Sequence, residues 1–109
     1  MSPDEKEKLV RHRDSTPQAI ALRLRAARQI TGLNQKDFAA AAGVAQTTYN
    51  SQEVKGSPSI KVMAHLYRDH RVDFNFLLYG DYNQLPGDVQ SALFAALSSA
   101  KPDPDAPAN

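Results

Sequence analysis

The chain has 109 residues, 41% hydrophobic and 23% charged, a size and balance that suit one small globular domain with flanking material. The longest apolar run, from Phe38 to Ala45, is far too short for a bilayer. The charged N-terminus lacks the apolar stretch of a secretion signal, so a cytoplasmic protein without membrane contact is expected. With no cysteine, disulfide staples, thiolate metal sites and cysteine nucleophiles are excluded. The net charge of +1 is unevenly spread: residues 17–80 hold eight basic and four acidic groups, +4, residues 1–16 balance, and residues 81–109 carry −3. A basic middle with an acidic end fits a polyanion-binding domain, although ordinary scatter of surface charge reads equally well.

Only helix signals are evident along the chain. Ser2-Pro3 followed by acidic residues predicts a short helix over about 3–12, poorly striped, with Leu9 and Val10 as its apolar residues and a tendency to fray. Thr16-Pro17 combines a hydroxyl N-cap with proline at the first helical position. Ile20, Leu24 and Ala27, with Ile30 nearby, then recur at helical spacing up to Gly32. Asn34 is the next cap, before a short helix with an apolar face of Phe38, Ala41 and Ala42 that Gly43 terminates. Another short helix opens at Ala45 or Gln46 and runs to about Val54. Lys55-Gly56-Ser57-Pro58 is a turn. Ser59 caps a helix with Ile60, Met63, Leu66 and Tyr67 on one side, and Asp73 caps a compact apolar segment closed by Gly80. Residues 81–84 read as a linker. From about Pro86 to about Ala100, Val89, Leu93 and Leu97 recur every four residues with Phe94 beside them. The proline-rich residues 101–109 read as a disordered tail.

The informative stretch is Gln35 to Glu53. Two short helices joined by a tight turn containing glycine form a helix-turn-helix unit. Gly43 permits the reversal, apolar Val44 plugs the corner, and small Ala39 lets the helix axes approach. Here the chain resembles the Cro/repressor (Xre) helix-turn-helix family. The matching residues are Gly32-Leu33-Asn34-Gln35, Phe38-Ala39, Gly43-Val44-Ala45-Gln46-Thr47-Thr48-Tyr49, then Glu53, Gly56, Pro58 and Ser59, and Leu77-Leu78-Tyr79-Gly80-Asp81. The likeness covers about residues 18–81. It implies an all-α, lambda-repressor-like domain of five helices over residues 17–81, with an N-terminal extension (1–16), an added C-terminal helix (82–100) and the tail (101–109).

The resemblance also implies roles. The second motif helix would lie in the major groove, with Gln46 and Thr47 at base edges and Asn50 and Ser51 one turn on. A glutamine amide can bond adenine bidentately, and threonine brings a hydroxyl and a methyl. Gln35, at a helix N-terminus, would bind phosphate, and Lys36 and Lys55 would add phosphate contacts that set register. Arg28 matches the family's ion-pair partner of Glu53. Two departures bear on this pattern: Gln52 stands where the family has a bulky apolar residue, and the turn from Glu53 to Pro58 is one residue short, which weakens the expected Arg28–Glu53 pair. Gln52 is either satisfied at the domain edge or marks an early helix end.

No metal-ligand spacing links His12, His65 and His70; His65 and His70, five apart, fall on different helix faces. No nucleophile-elbow or phosphate-loop pattern occurs, so neither catalysis nor a cofactor is expected. The stripe of Val89, Leu93, Phe94 and Leu97 either closes the chain's own core near Phe74 and Phe76 or forms a homodimer interface. The resulting expectation is a dimeric repressor binding double-stranded DNA. The alternatives are an antitoxin-like module, holding a toxin or other protein through its C-terminal helix, and a repressor-like fold that only assembles.

Overall fold

In the computed structural model, residues 1–99 are described and form seven helices: α1 Pro3–Val10, α2 Pro17–Ile30, α3 Gln35–Ala42, α4 Gln46–Lys55, α5 Ile60–His70, α6 Phe74–Tyr79 and α7 Gly87–Ser98. No strand occurs among the described residues, so the architecture is all-α. The expected tail, and the expected end of the last helix at Ala100, lie outside them. Local chemistry sets the starts. Ser2, Thr16, Asn34, Ser59 and Asp73 each accept a hydrogen bond from the backbone N–H three residues on, satisfying donors that a helix start leaves unpaired.

α2 is the axle of the bundle, with α4, α6 and α7 packed around it. Its Leu24, Ala26 and Ala27 meet Phe38, Tyr49, Leu66 and Phe76 in one core. Val10 from the N-terminal extension and Tyr82, Leu85, Val89, Leu93 and Phe94 from the C-terminal segment belong to the same cluster. The flanks are therefore parts of a single core. Val89, Leu93 and Phe94 are buried in their own chain and Leu97 packs against them. Burying one such side chain stabilises a fold by about 1.5–3 kcal/mol. Of the two readings of that stripe, closure of the chain's own core is the one this burial matches.

α1 docks on α7, with Lys6 Nζ 5.5 Å from the centre of the Phe94 ring. Its end is held from inside by Arg23, which is fully buried. Arg23 Nη1 donates to the carbonyls of Val10 (2.9 Å) and Arg11 (3.0 Å), Nη2 to Asp14 (2.6 Å), and Nε to Leu77 of α6 (3.1 Å). Burial pushes this guanidinium down to about 10, with the Asp14 carboxylate opposing the shift, and it remains a cation at neutral pH. Nearby, His12 Nε2 lies 3.1 Å from Asp81 Oδ1 and clips the same segment to the chain beyond α6.

Three sequence expectations about faces change. Ala41 is exposed, and the inner face of α3 is Phe38, Ala39 and Ala42. On α5, Ile60 (68% exposed) and Tyr67 (58%) face outward, while Val62, Met63, His65 and Leu66 are buried. His65 and His70 are not apart. His65 packs against Phe38 of α3, and its ring meets that of His70 across 5.4 Å. Burial, then the neighbouring His65, pulls His70 below its ordinary value.

One glycine marks a close crossing. Gly56 ends α4 at φ +65°, where a Cβ would stand 1.9 Å from the carbonyl oxygen of Pro17. No side chain fits there, so the turn after α4 can lie directly on the first residue of α2.

Candidate nucleic-acid interface

α3 and α4 are short helices joined through Gly43, Val44 and Ala45. Gly43 takes φ +78°, and its N–H and that of Val44 close the end of α3 on the carbonyls of Ala40 and Ala39. The rings of Phe38 and Tyr49 lie 4.9 Å apart and fix one helix against the other. Burial, reinforced by the Glu53 carboxylate, pushes the Tyr49 phenol up, so this tyrosine stays protonated as a core residue.

With its inner face spent this way, α4 turns Gln46, Thr47 and Thr48 to solvent, with Asn50 and Ser51 half-buried one turn on. Its N-cap is Ala45, which brings no side-chain hydrogen bond. The first turn of α4 thus keeps open N–H groups and partial positive charge at the surface.

Beneath α4 lies a buried ionic cluster. Glu53 is fully buried and Arg28 is 2% exposed. Arg28 Nε and Nη2 each donate to a Glu53 oxygen at 3.0 Å, while Nη1 donates to the carbonyl of Leu33 at 3.2 Å. The Arg28–Glu53 pair therefore forms despite the short turn. The side chain of Gln52 is satisfied, since its Oε1 accepts from the backbone N–H of Ser59 at 2.9 Å. Gln35 joins the cluster, with Nε2 3.4 Å from Glu53 Oε1 and only 7% of the residue exposed. Its amide faces the carboxylate, so the expected outward phosphate contact is not the arrangement found. Arg25, missed in the sequence, is also here, with Nε 3.7 Å from Glu53 Oε1 and its side chain 30% exposed.

Lys36, Lys55 and Lys61 are exposed, and none makes an ion pair among the described residues. Lys61 was not among the phosphate contacts that the resemblance implied, which were Lys36 and Lys55. A Cβ on Gly43 would lie 3.1 Å from Lys61 Cε and 3.3 Å from Nζ, so this ammonium hangs over the α3–α4 turn. The available signal was a cation in the first turn of α5, where the helix dipole disfavours one. The arrangement amounts to an exposed polar helix start, fixed from below, with the Lys61 ammonium at the turn that precedes it. No family model matches the chain, and neither a curated protein nor a solved structure does.

Proposed function

We propose that this chain is a sequence-specific duplex DNA-binding protein of the helix-turn-helix repressor type, reading bases through the start of α4. The observation that carries the proposal is the pairing of an open, exposed Gln46–Thr47 helix start with a buried Arg28–Glu53 clamp that fixes the angle of that helix. A helix of this kind fits the major groove. Gln46 suits adenine, Thr47 suits a thymine methyl, and Asn50 and Ser51 extend the same face. Lys36, Lys55 and Lys61 supply sequence-independent attraction to phosphates. On this reading the protein is a regulator of bacterial or phage type and acts in the cytoplasm, where its duplex lies. The apolar stripe of α7 is spent in the core, which favours this reading over the antitoxin-like alternative, in which that helix holds a toxin.

The test is selection of bound duplexes from a random pool at physiological salt. Enrichment of a near-palindrome with half-sites about 34 Å apart supports a two-fold regulator. Uniform weak binding that vanishes as salt rises defeats the proposal.

Reading and positioning have different signatures. Gln46→Ala is expected to weaken the selected site by about 1–3 kcal/mol and to relax preference at one base pair. Lys61→Ala is expected to weaken all duplexes alike and to lower the salt slope by about 0.9 for each phosphate it no longer neutralises. Titrations of matched and scrambled duplexes at several salt concentrations measure both. Identical, sequence-independent losses from the two variants would strip Gln46 of its reading role.

A further inference from the structure

Of the three histidines in the chain, two meet at α5. His65 is 5% exposed, and its Nδ1 lies 2.9 Å from Asp69 Oδ2 on the next turn of the helix. An ionised carboxylate only accepts, so at neutral pH the ring hydrogen of His65 sits on Nδ1 and Nε2 is a bare acceptor. That Nε2 is buried and finds no hydrogen-bond partner among the described residues. The ring stands edge-on to two others, Phe38 of α3 at 5.5 Å and His70 at 5.4 Å.

We propose that the His65–His70 pair is a proton-operated catch, which seats α5 on α3 at neutral pH and loosens that seat in mild acid. The catch is a property of the free chain and does not depend on the DNA-binding reading. A proton added to His65 Nε2 makes a buried charged donor with no acceptor, which is costly. A proton on His70 sets its charge beside the same ring, 5.4 Å away. A second proton on the pair then places two like charges in a largely buried site, so the two titrations are linked. Parting of the rings relieves both costs. The Phe38 ring that His65 touches also seats Tyr49 of α4, at 4.9 Å, so movement here reaches α4 through one side chain.

The surrounding charges leave this balance in place. On α5, Lys61 precedes His65 by one turn and adds a like charge. Asp69 opposes charging of the pair, but its other oxygen lies 3.6 Å from Arg68 Nε, so its attraction is shared. His70 opens on a crevice of about 200 Å³ lined also by Ile30 of α2, Asp69, Arg71, and Asp88 and Val89 of α7, which gives its proton a route from water. Asp88 there is spent on Arg71, through contacts of 3.2 and 2.6 Å. α3 meets His65 with the uncharged Phe38 ring, while its Lys36 and Asp37 are exposed. α6 bears no side chain that titrates near neutral pH. Burial and the neighbouring ring outweigh Asp69 and hold His70 below its ordinary value of 6.5. A histidine lowered on folding is charged more readily in the unfolded chain. Its contribution to stability is therefore complete above the ordinary value and is lost as pH falls from there through the folded one.

Proton NMR of the full chain between about pH 7.5 and 4.5 tests the catch, since each histidine ring can be followed singly across that range. His65 and His70 are expected to titrate in linked steps, each ring signal moving in both, with amide shifts concentrated on α5 and around Phe38. His70→Gln keeps a polar side chain at a half-buried position and removes one titrating ring, so His65 should then titrate in a single step. Between about pH 7 and pH 5, the folded-to-unfolded ratio of the unaltered chain should fall roughly fivefold more than that of the variant, read by urea unfolding at each pH. Independent single-step titrations of the two rings overturn the proposal, and so do equal losses of stability in the two chains. Acid-induced amide shifts spread evenly over all helices overturn it too, because the change would then not start at α5. The ring titrations need no variant, so they decide the matter even if His70→Gln does not fold.

Discussion

Replacing Arg23 with methionine is expected to cost about 4 kcal/mol or more and to lower the thermal midpoint by at least 15 °C. Arg23 is fully buried, and its side chain satisfies four carbonyls, those of Val10, Arg11, Asp14 and Leu77. Methionine fills much of the volume but donates nothing. Each buried acceptor left unmet costs about 1–3 kcal/mol, and for a domain this size 1 kcal/mol moves the midpoint by roughly 4–8 °C. The damage should begin locally. The loop at residues 11–14 holds two non-glycine residues at positive φ, Arg11 at 52° and Arg13 at 64°, a conformation that persists only while its surroundings enforce it. Hydrogen exchange in α1 should therefore accelerate before the rest of the protein unfolds. Arg23→Lys, with three donors in place of a planar fork, should recover only part of the loss. Urea titration with exchange measurements checks this. A loss below 1 kcal/mol, or uniform exchange across all helices, would show that α1 is held by apolar contact with α7 alone.

That linkage was the part of the fold least visible in the sequence. Helix starts were legible because a cap is a local event: Thr16-Pro17, Asn34, Ser59 and Asp73 each bond a donor three residues away. The reversal at Gly43 was legible for the same reason. Burial was harder to read, because it depends on where other helices settle. Spacing alone put Ile60 and Tyr67 inside α5, whereas α3 and α6 cover the side bearing Val62, Met63 and Leu66. Arg23 was one of eight basic groups counted in residues 17–80, and no local pattern showed that it would be buried. Lys61 is 18 positions from Gly43, and only the folded chain brings it to the turn. At the candidate site, the exposed residues of α4 follow from helix period. The inward turn of Gln35 follows from the charge of Glu53, which local pattern does not reveal.

Glu53→Ala should be about as destabilising as loss of Arg23, and its consequences separate stability from recognition. Removing the carboxylate strands the Arg28 guanidinium, 2% exposed, without its bidentate partner. Breaking a buried pair from one side costs about 3–5 kcal/mol. Arg25, with its side chain 30% exposed, can turn to water and adds little. The combination Glu53→Leu with Arg28→Met removes both charges of the pair, and such apolar replacements are often neutral or stabilising. It should therefore regain most of the lost stability. It would not regain geometry. Arg28 ties α4 to both α2 and the carbonyl of Leu33, and directional bonds hold a helix angle within narrower limits than apolar packing alone. On the DNA-binding reading, the double variant should fold yet discriminate its selected duplex from a scrambled one at least tenfold less well. Thermal melts paired with duplex titrations give both readouts. A double variant that recovered stability and discrimination together would reduce the pair to a packing element and remove it from recognition.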